Sequence, residues 1–85
     1  MLENKVIVSV NIPILEKKYD MYFPINRKIH SVIKMIKVSL FELSYGTFDL
    51  NYKCVLYNEE NGNQYDMNSL VRETDIRNGS KVILL

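Results

Sequence analysis

The stretch Ile29–Leu43 reads IHSVIKMIKVSLFEL and carries the only strong helical periodicity in the sequence. At about 100° per residue, its apolar side chains fall on a single stripe along a helix. The members of that stripe are Ile29, Val32, Ile33, Ile36, Leu40 and Leu43. Such a helix must bury its stripe, and the flanking segments have the period-2 alternation of strands, so a sheet is predicted beneath it.

The ends of this helix have sequence signals of their own. Asn26 is the predicted N-cap, because its side-chain oxygen can accept a hydrogen bond from a free N–H of the first turn. Gly46 is the predicted residue after the helix, where a positive φ is needed.

Alternating side chains predict four strands around the helix, at residues 6–12, 19–23, 52–57 and 81–85, and a short edge strand is expected at 64–67. The first two are close enough to form an antiparallel hairpin. The predicted order is β-β-α-β-β-β, an α+β fold with one mixed β-sheet packed on a single long α-helix.

Composition restricts the class of protein. A chain of 85 residues is long enough for a single domain, predicted to span residues 1–85. The net charge of +1 argues against a general polyanion binder, and one cysteine excludes an internal disulfide framework. The N-terminus does not read as a signal peptide, and no segment approaches the ~20 apolar residues of a membrane span. A cytoplasmic protein is therefore expected.

The C-terminal third resembles the ubiquitin-like β-grasp proteins. It reads SLVRETDIRNGSKVILL over residues 69–85. In that family a leucine precedes a short turn (here Leu70), an isoleucine tucks under the core (Ile76), a glycine sits in a turn (Gly79), and the last strand alternates (Val82 and Leu84). The resemblance covers residues 5–85 and implies a ubiquitin-like β-grasp fold.

Within that fold, the chain is similar to the YukD/EsaB proteins, which are accessory components of type VII secretion in Gram-positive bacteria. The similarity lies in VIVSVN at residues 6–11, YDMYFP at 19–24, SLFEL at 39–43 and IRNGSKVILL at 76–85. It implies a non-enzymatic accessory or regulatory role in the cytoplasm. The partner would be a cytoplasmic region of the secretion machinery.

Two other functions are weighed against this one. A carrier protein working with an activating enzyme would need a Gly-Gly terminus, whereas this sequence ends at Leu84-Leu85. A single-stranded nucleic-acid binder could use the six tyrosines beside Lys34, Lys37 and Lys53, but the near-neutral charge disfavours it.

The sequence offers no catalytic, cofactor or metal site. Cys54 is interpreted as a small buried hydrophobe on a strand rather than a nucleophile. His30 is interpreted as a solvated surface residue, and Asp75 as a cap for nearby backbone.

The candidate binding site is the sheet face turned away from the helix. Strand parity places the following residues on it: Ile7, Ser9, Lys53, Val55, Tyr57 and Ile83. The apolar members are predicted to form one contiguous exposed patch, which usually marks an interaction surface. A protein partner is expected there, with a homodimer as the alternative.

Overall fold

The computed structural model describes residues 4–85, and residues 1–3, which open the stretch examined for a signal peptide, lie outside the described part. The elements are β1 (Lys5–Ile12), β2 (Lys17–Pro24), α1 (Ile29–Leu43), β3 (Leu56–Asn58) and β4 (Lys81–Leu84), with 3₁₀ turns at Pro13–Leu15 and Val71–Glu73. No helix of residues 4–85 is both long and apolar enough to cross a membrane.

The four strands form one mixed sheet in the order β2-β1-β4-β3. β1 pairs with β2 as an antiparallel hairpin, with β4 in parallel, and β4 pairs antiparallel with β3. Pro24, which cannot donate to a ladder, lies on the edge strand β2. The α+β prediction, with a mixed sheet on a single long helix, is confirmed.

Two of the predicted strands differ from the structure. The strand expected at 64–67 is reduced to one isolated bridge between Tyr57 and Gln64. The strand expected at 52–57 is assigned only over Leu56–Asn58, although Val55 and Leu85 still exchange two backbone hydrogen bonds. The sheet therefore has four strands instead of five.

The core lies between α1 and the sheet face that carries alternate residues of β1 and β4. Every second residue of these strands is buried because side chains alternate between the two faces of a sheet. The buried members are Val8, Val10 and Ile12 on β1, and Val82 and Leu84 on β4. Facing them from α1 are Ile29, Val32, Ile33, Ile36 and Leu40.

Leu43, the last member of the predicted stripe, is not buried. It is 53% exposed, whereas Leu40, one turn earlier, is fully buried. The periodicity places Leu43 on the correct side of the helix, but the last turn of α1 lies at the margin of the sheet, beside Leu15 and Lys17. Periodicity gives a direction around the helix axis and does not give the extent of the surface beneath it.

The predicted N-cap is also wrong. The cap position is Lys28, which makes no side-chain capping bond. The first two helical N–H groups, of Ile29 and His30, instead donate to the carbonyls of Ser69 (2.9 Å) and Met67 (3.1 Å). Backbone carbonyls of a distant segment thus accept the hydrogen bonds that Asn26 was predicted to accept.

The C-terminus of α1 closes with a Schellman motif. The N–H of Tyr45 donates to the Glu42 carbonyl (3.1 Å), and that of Gly46 donates to the Phe41 carbonyl (2.7 Å). Tyr45 takes the left-handed C′ position with φ 55°, and Gly46 follows with φ 83°. The positive φ expected at Gly46 is therefore present, one residue beyond the C′ position predicted for it.

Replacing Leu40 by alanine should destabilise the fold far more than the same change at Leu43. Leu40→Ala leaves a cavity under α1 and should cost about 3 kcal/mol of unfolding free energy. Leu43→Ala removes a half-exposed side chain and should cost less than about 1 kcal/mol. Urea denaturation of the two variants measures the difference, and equal losses would contradict the position given to Leu43.

Candidate functional site

The sheet face opposite α1 is open to solvent along the central strands. Its outward residues on β1 alternate with the buried valines: Ile7, Ser9 and Asn11. On β4, Lys81 and Ile83 point the same way as these residues. The parity from which this face was predicted therefore agrees with the burial pattern.

Four apolar residues lie together at one end of this face. Tyr57 on β3 pairs directly with Ile83 on β4. Val55 and Leu85 form the next pair, with backbone hydrogen bonds of 2.6 and 2.9 Å. Residues paired in this way have Cβ atoms about 5 Å apart, so the four side chains are neighbours. We call Val55, Tyr57, Ile83 and Leu85 the apolar cluster.

Ile7 is not part of that cluster. The parallel register pairs Asn11, not Ile7, with Ile83. Ile7 thus lies four residues away along β1, about 13 Å at the rise of a strand. The polar pair Ser9 and Lys81 separates the two regions. The prediction of one contiguous patch is wrong, since parity fixes the face of a residue but not the register between strands.

Ile7 instead has its own aromatic neighbour. It pairs with Tyr22 on the edge strand β2, and Tyr22 is 63% exposed. The Lys5 ammonium lies 5.4 Å from the centre of the Tyr22 ring, within the range of a cation–π contact. The outer face therefore has two apolar regions with a polar row between them.

Lys53 departs from the predicted arrangement. It precedes β3 and is exposed, and it lines a groove against α1 together with Val55. It thus lies beyond the paired part of the strand, whereas Ser9, Tyr57 and Ile83 lie within the sheet ladder.

The single cysteine is buried, as predicted. Burial raises the pKa of the Cys54 thiol, and the nearby Lys37 ammonium opposes this shift. A thiol with a raised pKa is protonated at neutral pH and is a poor nucleophile. His30 is exposed on α1, also as predicted. Within residues 4–85, no three His, Cys, Asp or Glu side chains are grouped closely enough to hold a metal ion.

Contrary to the prediction, the Asp75 carboxylate binds side chains and caps no nearby backbone within residues 4–85. Its two carboxylate oxygens accept hydrogen bonds from the Tyr65 hydroxyl (2.7 Å) and the Asn58 amide (3.2 Å). The Tyr65 ring is buried in the core. The sequence predicts a strand for its segment, residues 64–67. Burial, and then the bond to the Asp75 carboxylate, raise the pKa of the Tyr65 hydroxyl well above its usual range. The hydrogen bond between Tyr65 and Asp75 holds the two loops that contain these residues together.

Comparison with known proteins gives structural neighbours only. No family model matches the sequence, and no curated protein matches it. The ubiquitin-like domain of the Mycobacterium tuberculosis type VII secretion system protein ECCD1 is similar, with a TM-score of 0.69 at 13% identity over 95% of this chain and 97% of that domain. The chain has the ubiquitin-like fold. The expectation from its C-terminal third is confirmed at this level.

Two further neighbours come from different settings. A chain solved in a study of how molecular mimicry of SUMO promotes DNA repair has a TM-score of 0.72 at 13% identity, over 100% of this chain and 95% of that one. A chain of the MycP5-free ESX-5 inner membrane complex has a TM-score of 0.68 at 14% identity, over 96% of this chain but 21% of its own length. At such identities the likeness shows a shared fold.

Tyr65 should make stability fall at high pH. Its pKa is raised in the folded state, so the unfolded state loses the proton first, and the unfolding free energy decreases as the pH rises above about 10. Tyr65→Phe should lose about 1 kcal/mol at neutral pH and show a shallower decline from about pH 9 to about pH 11. Urea midpoints across this range measure both effects.

The exposed Tyr22 provides the control for this experiment. Tyr22→Phe should keep the pH profile of the unmodified protein. Parallel profiles for all three proteins would show that Tyr65 is not responsible for the decline.

Proposed function

We propose that this chain is a non-enzymatic, ubiquitin-like accessory or regulatory protein of a type VII secretion system in a Gram-positive bacterium. It acts in the cytoplasm as one domain that contacts a cytoplasmic region of the secretion machinery. Two findings support the proposal: the sequence resemblance to YukD/EsaB proteins, and the fold shared with the ubiquitin-like domain of ECCD1 and a chain of the ESX-5 complex.

The apolar cluster is the observation that carries the proposal. Four apolar side chains lie side by side on the face that α1 leaves uncovered. Val55, Tyr57 and Ile83 are half-buried, and Leu85 is 51% exposed. Burying such a cluster against a partner releases water from apolar surface and gives a favourable free energy. Tyr57 adds an aromatic side chain, a type enriched among the residues that dominate binding energies.

The rest of the proposed site surrounds this centre. Ser9 and Lys81 form a polar row on one side of the cluster, and Lys53 lies on the other side, next to Val55. Polar groups at the rim of an interface set orientation and partner choice more than affinity. Ile7, about 13 Å away by strand geometry, lies outside the proposed contact area.

Paired substitutions at the two ends of the outer face test this assignment. Tyr57→Ser with Ile83→Thr removes one directly paired half of the apolar cluster while keeping a β-branched residue on the central strand. Ile7→Thr with Tyr22→Ser makes the same chemical changes at the other end. In a cross-linked pull-down from native cells, the first variant should recover secretion components at least about tenfold less than the unmodified protein, and the second should recover them nearly unchanged.

Circular dichroism and thermal unfolding establish that both variants are folded. Unchanged recovery by a folded Tyr57→Ser/Ile83→Thr protein would overturn the assignment of the binding face. Recovery of nucleic acid, or of an activating enzyme, in place of secretion components would overturn the proposed function.

A further inference from the structure

A groove of about 420 Å³ runs between α1 and the segment that leads into β3. Its floor is aliphatic, made by the buried Ile33 and the half-buried Val55 and Met67. It lies to the side of the sheet, so it is distinct from the outer face, although Val55 adjoins both surfaces. Of its lining residues, only Val55 and Lys53 belong to the binding site proposed on the outer face.

The walls of this groove carry basic groups. His30, Lys34 and Lys37 follow one another at helical spacings of four and three residues, so they form a row about 10 Å long on α1. Lys53 faces them from the other wall. Within residues 4–85, no carboxylate lines the groove. In a chain with 11 basic and 10 acidic residues, this is a local concentration of positive charge.

The groove is held open by contacts within the chain. The Lys37 ammonium donates a hydrogen bond to the Tyr52 carbonyl (3.0 Å), which fixes the segment before β3 at its distance from α1. The Cys54 thiol donates to the same carbonyl (3.6 Å). Lys34 and Lys53, in contrast, are exposed. These contacts order the groove in the free protein, which lowers the free-energy cost of ordering it when a ligand binds.

We propose that this groove binds an acidic segment of a partner protein. Carboxylates of the segment pair with Lys34 and Lys53 across the groove, and an aliphatic side chain between them packs on the floor of Ile33 and Met67. A protein segment fits better than single-stranded nucleic acid, because nucleic-acid grooves add stacking aromatic rings to their positive charge. No Phe, Tyr or Trp side chain of residues 4–85 lines this groove.

Fluorescence anisotropy with a labelled acidic peptide tests the proposal. The probe is a fluorescein-labelled dodecapeptide made only of Glu, Asp and Leu, titrated at low ionic strength, where screening is weak. Lys34→Glu/Lys53→Glu should weaken its binding by about tenfold or more, because both lining cations become anions. Lys17→Glu/Lys18→Glu changes the net charge equally at exposed positions outside the groove and should alter binding by no more than about twofold.

Two further probes complete the experiment. The same peptide with Ser in place of Leu should bind several-fold more weakly, since it cannot use the aliphatic floor. An oligothymidylate of the same length should bind more weakly than the acidic peptide. Amide chemical-shift changes in the unmodified protein should concentrate on residues 30–37, 53–55 and 67.

Several results would overturn the proposal. One is the absence of peptide binding to the unmodified protein. Another is an equal loss in both charge-reversed variants, which would indicate a general effect of net charge. A third is an oligothymidylate that binds more tightly than the peptide and is lost in Lys34→Glu/Lys53→Glu, which would assign the groove to nucleic acid.

Discussion

The parallel pairing of β1 with β4 is the contact on which the rest of the structure depends. Its register, in which Val10 pairs with Val82 and Asn11 with Ile83, makes the two strands the centre of the sheet. The pairing joins distant parts of the chain, since Ser9 pairs with Lys81. Just before β4, the Ile7 N–H also donates to the Asn78 side chain, 71 positions away (2.9 Å). One face of this pair supplies the surface on which α1 packs. On the other face, Ile83 of β4 lies beside Tyr57 because β4 also pairs with β3. Without this pairing, the sheet surface beneath α1 would not form.

Sequence periodicity predicted the elements of the fold well, and long-range contacts account for most of its errors. The bounds of α1 and its buried stripe up to Leu40 followed from local spacing alone. The helix N-terminus was assigned to Asn26 because a local cap is all that a sequence can show, whereas carbonyls from Met67 and Ser69 take that role. The segment around Tyr65 was read as a strand, but it is held by a side-chain bond to Asp75 instead of a ladder.

The sequence predicts which face of the sheet each candidate residue occupies, but not which of these residues are neighbours. Strand parity identified the outward residues, because that property belongs to each strand separately. Ile7 is separated from the apolar cluster because of the register between β1 and β4. Strand parity gives no information about that register. The groove between α1 and the segment that leads into β3 was likewise not predictable from the sequence. The spacing of His30, Lys34 and Lys37 was visible in the sequence, but their position opposite Lys53 required the tertiary structure.

The central functional claim is that the apolar cluster, and not the outer face as a whole, contacts the secretion machinery. Site-specific photo-cross-linking in native cells tests it most directly, with a benzophenone-bearing phenylalanine analogue placed at Tyr57 or at Tyr22. Both positions carry exposed or half-buried tyrosines on the same face, so the substitutions are matched. The account predicts cross-links to a secretion component from position 57 and few or none from position 22. Cross-links from position 22 alone, or from neither position to any secretion component, would contradict it.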